Sequence, residues 1–131
     1  MTTYFGQGTA ISRSGGTSWN FIPLTEWLST DGIKKVRAAI EMRGATGSCK
    51  IQPAYAATND KDVASGSMDI AAIAGTSDLS SDGINYGGGW DDIQDDLDGN
   101  MYVRFGVHCA RTDGTGLVGC FASIRVDVKD P

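Results

Sequence analysis

With 131 residues, 40% of them hydrophobic and 21% charged, the chain has the size and composition of one globular domain with its own core, and it is too apolar for a disordered segment. A net charge of −5 argues against partners that need a basic face, which sets aside nucleic-acid phosphates and anionic membrane surfaces. Eighteen glycines against three prolines suit short strands joined by tight turns.

The opening MTTYFGQGTAISRSGG lacks the apolar segment of a secretory signal. No apolar run approaches the length of a membrane span. Three cysteines without zinc spacing do not make a disulfide framework, so synthesis in a reducing cytoplasm is expected, with any later release by lysis. Residues 1–18 are polar and glycine-rich and read as a flexible arm. Within it Tyr4, Phe5 and Ile11 stand as isolated apolar anchors that would order against a neighbour. Residues 19–131 read as a single domain.

WNFIPLTEWL, residues 19–28, reads as an edge strand followed by a turn, because Pro23 disfavours a continuous helix. LSTDGI at 28–33 and LSSDGI at 79–84 differ only in Thr30 against Ser81. The segments after them are unlike, and Asp-Gly recurs at 98–99 and 113–114, so the same turn solved several times is the economical reading. From Ile33 to Met42 the residues Val36, Ala38, Ile40 and Met42 alternate with Lys35, Arg37, Glu41 and Arg43, which predicts a half-buried antiparallel strand. GATGS (44–48) is a turn. Residues 49–57 predict a second strand with Ile51 and Tyr55 inward, and Pro53 assigns it to an edge or a bulge. A loop covers 58–67, and 68–74 reads as a strand alternating at Met68, Ile70 and Ala72.

In the last third, 101–109 and 117–128 flank the glycine-rich loop TDGTG. Pairing Val103 with Val126, Phe105 with Ile124, Val107 with Ala122 and Cys109 with Cys120 matches every inward residue with another. This predicts a hairpin. Cys109 and Cys120 are then a cross-strand thiol pair, either two buried reduced thiols or, in an oxidising setting, a disulfide.

No constellation in the chain carries catalysis, and no cofactor or metal is implied. In the run WDDIQDDLDGN, residues 90–100, the first and last calcium-loop positions hold Gln94 and Phe105, so the EF-hand pattern fails. Trp90, Ile93 and Leu97 recur at helical spacing, which predicts a short amphipathic turn of helix near 90–98 with its acids in water. His108 is the single histidine, sits on the non-core face of a strand, and has no nucleophile context. Tyr86-Gly87-Gly88-Gly89-Trp90 is the candidate ligand or interface loop, with Tyr86 and Trp90 as its contact residues, since glycines let the backbone approach a partner. It lacks the Lys-Ser/Thr ending of a phosphate loop.

These elements predict an all-β fold, an antiparallel β-sandwich of jelly-roll type with about eight strands and one short helix. A small, acidic, glycine-rich chain with a polar N-terminal segment and a terminal MYVRFGVHCA…CFASIRVDV pair resembles the small β-sandwich virion structural proteins of tailed bacteriophages, which include head-decoration, head-fibre and tail-associated proteins. The resemblance lies in the layout and carries no residue roles. It implies a non-enzymatic virion component, a capsid decoration or fibre oligomer, with other virion proteins and copies of itself as partners. The alternative is a carbohydrate-binding β-sandwich module that meets a cell-surface glycan through Trp19, Trp27, Tyr55, Tyr86 or Trp90.

Overall fold

The computed structural model describes residues 1–13, 15 and 18–129. In chain order the elements are β1 (Thr2–Ser12), β2 (Asn20–Pro23), β3 (Leu28–Ser29), β4 (Lys35–Thr46), β5 (Cys49–Thr58), β6 (Asp69–Ala72), β7 (Gly83–Asn85), β8 (Asp91–Asp92), the single-turn helix α1 (Gln94–Leu97), β9 (Tyr102–Arg111) and β10 (Val118–Lys129). A 3-10 turn covers Ser65–Ser67. The first sheet runs β1-β10-β4-β7, with β8 also on β4. The second runs β2-β9-β5-β6, with β3 also on β9. Every named strand pair is antiparallel. Apart from the steps β2 to β3, β5 to β6 and β7 to β8, each move from one strand to the next carries the chain from one sheet to the other. That winding is a jelly roll, as expected from the sequence.

Alternation builds the core. Val36, Ala38, Ile40 and Met42 of β4 turn inward and are buried, as do Ile51 and Tyr55 of β5. Facing them are Val103, Phe105, Val107 and Cys109 of β9 and Cys120, Ala122, Ile124 and Val126 of β10. The Tyr55 hydroxyl donates to Asp96 Oδ2. That bond and the buried Ile93 and Leu97 seat α1 on the core. Burial, and then the Asp96 carboxylate, push the Tyr55 phenol well above its ordinary value. Trp90 is not part of the helix, which begins at Gln94.

Besides β5, which lies between β9 and β6 in an unbroken register instead of at an edge or a bulge despite Pro53, four expectations are corrected. Thr2–Ser12 is not a flexible arm but an eleven-residue strand, paired along its whole length with β10 without a register break. Beyond Tyr4 its inward positions are small, Gly6, Gly8, Ala10 and Ser12, because another segment crosses beneath: a Cβ on Gly6 would lie 2.2 Å from the Leu24 carbonyl oxygen. The glycines that read as looseness are close-approach sites. Residues 14, 16 and 17, also assigned to the arm, lie outside the described residues. Tyr4 belongs to the core side, its ring 6.4 Å from that of Phe105.

The second correction concerns the terminal pair. β9 and β10 are in opposite sheets, so Val103, Phe105, Val107 and Cys109 meet the β10 residues across the sandwich interior rather than along a hairpin. A period of two tells which face is inward; it does not tell which strand lies alongside. Third, β6 has the opposite phase from the one predicted: Ile73 just beyond it is buried and Ala71 packs on the core, while Ala72 is exposed. Alanines on both faces left the phase undetermined.

Fourth, the two Asp-Gly sites are different structures. Gly32 has φ +79° in a turn closed by Ile33 N–H to the Thr30 carbonyl. Asp82 instead reaches across to accept from the N–H groups of Gly44 and Ala45, each at 3.0 Å, and so holds the β4–β5 turn.

Candidate assembly surface

Strand alternation sends Phe5 of β1, Phe121, Ser123, Arg125, Asp127 and Lys129 of β10, and Lys35, Arg37, Ala39, Glu41 and Arg43 of β4 to the outer side of the first sheet. The registers Phe5–Arg125–Ala39 and Ser123–Glu41–Ile84 align them in cross-strand rows. Ala39 and Ser123 are small, so the surface dips between larger neighbours. A trough of about 210 Å³ results, with Phe5, Ile84 and Tyr86 among its walls. Phe5 and Tyr86 are each 73% exposed and Ile84 49%. Met1, Ile11, Leu117 and Phe121 also expose large apolar surface, and all four belong to β1 and β10 or the residues leading into them. Among the described residues, the rings on the outer side of the second sheet are half-buried, and the exposed Met101 lies just ahead of β9.

The same face is basic. Lys35, Arg37, Arg43, Arg125 and Lys129 are five of the chain's eleven Lys and Arg residues, against Glu41, Asp127 and, at one corner, Asp92. Asp127 is buried and accepts from Arg37 Nε at 2.9 Å and from Thr3 Oγ1 at 2.8 Å, with Arg125 at 3.5 Å. Desolvation pushes its carboxyl up, but the bonds from Arg37 and Thr3 and the Arg125 charge outweigh that and hold it below the usual carboxylate value. Trp90 lies under Arg37 at 4.6 Å and Lys129 at 5.8 Å. Aromatic side chains and arginines in one patch are the composition of protein interface centres.

Because the folded Asp127 carboxyl is depressed, its contribution is present above the ordinary value of 3.8 and is lost as pH falls through the folded value. Asp127→Asn should cost about 1–2 kcal/mol at pH 7, since Arg37 and Arg125 are partly solvated. In urea melts at pH 7 and pH 3 the gap from the parent should narrow at the lower pH. An equal gap at both would remove the charge from the account.

The outer side of the second sheet is different. His108 stacks on Trp19 at 5.8 Å and meets Phe21 edge-on at 6.1 Å. These rings, with Asn20, Gly66 and Ile70, line an open cleft of about 380 Å³. Burial lowers the His108 pKa, and its Nδ1 has no hydrogen-bond partner among the described residues. Each tryptophan ring has a cation over it: Lys50 on Trp19 at 4.6 Å, Arg104 on Trp27 at 4.8 Å, and Arg37 on Trp90.

Of the residues singled out by sequence, Phe5 and Tyr86 meet at the trough and Trp90 lies on the same face. Ile11 is near one end of β1, and Tyr4 points inward. Cys109 and Cys120 are not opposite each other in a hairpin. They are buried on strands of opposite sheets, and both hydrogen-bond with Cys49, whose Sγ is 3.7 Å from that of Cys109. The bond to Cys49, and then burial, push the Cys109 and Cys120 thiols up. Among the described residues no group of three or more His, Cys, Asp or Glu side chains is arranged to hold a metal ion. Sequence reasoning missed Ile84 and Phe121; Phe121 carried a signal, an aromatic out of phase on the polar side of an alternating strand.

No family model matches the chain, and no curated protein matches it. Solved viral particle chains share its fold. T=1 particles derived from infectious bursal virus align with TM-score 0.54 at 11% identity, over 97% of this chain and 31% of that one. The Gx strain of infectious bursal disease virus aligns at 0.53 and 9% identity, over 97% and 33%. The Gt strain aligns at 0.51 and 10%, over 95% and 32%. The chain thus spans about a third of the length of these chains. What it has in common with these viral capsid chains is the jelly roll itself.

Proposed function

We propose that the protein is a non-enzymatic structural component of a virion, a capsid-surface decoration or fibre subunit of a tailed bacteriophage. It is made in the host cytoplasm and works as many copies held to one another and to other virion proteins. The observation that carries this reading is the outer face of the first sheet, where Phe5, Ile84, Tyr86 and Phe121 are exposed within a frame of arginines and lysines. Exposed apolar surface of this kind marks a contact site in a protein that has one. The jelly roll in common with particle-forming chains supports the same reading. Individually weak contacts suffice when a repeating lattice offers many of them at once.

A carbohydrate-binding module is the second reading, favoured by the cleft of Trp19, Phe21 and His108 beside Asn20. It ranks lower because Trp19 is stacked on His108 and lies under Lys50, which takes up ring surface a sugar would use.

Sedimentation of the purified protein at up to about 100 μM, where weak contacts become populated, tests the leading reading. The parent should form species larger than a dimer, and the double variant Phe5→Ser, Tyr86→Ser should not, with its melting temperature close to that of the parent. A parent that stays monomeric throughout, or a double variant that assembles as well as the parent, would overturn the face as the contact site.

A further inference from the structure

The free edge of β1 is unlike the other sheet edges. It is eleven residues long, whereas β2, β3, β6, β7 and β8 are four residues or fewer. Proteins commonly guard long edges with charge, proline, a bulge or a covering loop, because unpaired N–H and C=O groups template another strand. Three of the short edge strands carry such devices: Pro23 in β2, Asp69 in β6, Asp91 and Asp92 in β8. TTYFGQGTAIS has no charge and no proline, and its register with β10 is unbroken.

The direction of its backbone groups follows from two hydrogen bonds. The Ile11 carbonyl accepts from Asn20 Nδ2 at 3.0 Å, on the side away from β10. The carbonyl of Gly119, the residue opposite Ile11, accepts from Thr46 of β4 instead. Ile11 therefore faces the edge. Since backbone groups alternate sides along a strand, so do Thr3, Phe5, Gln7 and Thr9. Among the described residues no hydrogen bond reaches the main chain of those four from the edge side.

We infer that β1 pairs antiparallel with β1 of a second copy, about a two-fold axis at Gln7, joining the first sheets of two molecules into one. This deepens the assembly reading and rests on it. Gln7 is the central residue of Thr2–Ser12, so pairing about it overlaps the whole strand. On the outer side it sets Phe5 against Thr9 and Thr3 against Ile11. On the inner side it sets Tyr4 against Ala10 and Gly6 against Gly8. Large side chains meet small ones, and with no ionised group on the strand the two-fold places no like charges opposite each other. The outer faces of the two copies then lie side by side, so their arginine rows do not confront one another. A foreign strand would need none of this self-matching.

Oxidative cross-linking tests the register. Residues opposite each other in a hydrogen-bonded antiparallel pair have Cα atoms about 5.5 Å apart, within disulfide reach. Gln7 and Thr9 are both exposed, and the native thiols are buried. Gln7→Cys should give a covalent dimer on mild oxidation. Thr9→Cys should not, because its counterpart would be displaced by about 14 Å along the strands. Gln7→Pro, which removes an edge-facing N–H and leaves the bonds to β10, should reduce the size of the parent's assemblies by removing the edge contact and leaving the outer-face one, with the melting temperature kept. Failure of Gln7→Cys to cross-link, or equal cross-linking of both cysteine variants, overturns the pairing. If the parent still sediments as assemblies in that case, the outer face remains the contact site; a parent monomeric throughout sinks both.

Discussion

Deletion of residues 2–12 is expected to leave a chain that no longer folds, instead of a trimmed but stable domain. β10 would lose its partner along the whole of β1. The core would lose Ala10 and the Tyr4 ring beside Phe105, and the Leu24 segment beneath Gly6 would be uncovered. Burial of one large side chain is worth about 1.5–3 kcal/mol, and a strand's ladder adds to it, against a total stability of about 5–15 kcal/mol for a domain. Circular dichroism and calorimetry should find no cooperative melting transition. A truncated protein that melts like the parent would make residues 2–12 an appendage after all.

Phe105→Ala should cost about 3–5 kcal/mol in denaturant unfolding, the largest effect expected from a single substitution here. Phe105 is fully buried. Its backbone also holds the crossing segment: its carbonyl accepts from both Leu24 and Thr25 N–H at 3.0 Å, and its N–H donates to Thr25 Oγ1 at 2.9 Å. A cavity at this point loosens the side-chain packing that keeps Leu24 against Gly6. Phe121→Ala, on the outer side at 39% exposure, should cost about 1 kcal/mol or less. Equal costs for the two phenylalanines would mean that the inward and outward faces are misassigned.

The inward faces of β4, β5, β9 and β10 were legible in the sequence because each alternates over many residues with large apolar side chains. β1 was not, since Gly6 and Gly8 occupy inward positions where a large side chain would have announced a strand. Strand neighbours were not legible either: Val103 and Phe105 match several inward rows equally well, and long-range winding decided among them. The assembly face was half visible. Phe5 and Tyr86 were singled out, but the basic frame around them was hidden by a net charge of −5, which averages over residues that the fold segregates. Ile84 sits in a three-residue strand, too short for any periodicity.

The pairing of β1 with β10 also sets an order of events during synthesis. Thr2 lies opposite Val128, so β1 leaves the ribosome ahead of nearly all of the chain that separates it from its partner. At typical elongation rates that interval is on the order of ten seconds. During it, an uncharged strand with both edges open waits in the company of other nascent copies. Long-range pairings of this kind close slowly, so production of soluble protein should depend on how quickly β10 arrives and how crowded the early strands are.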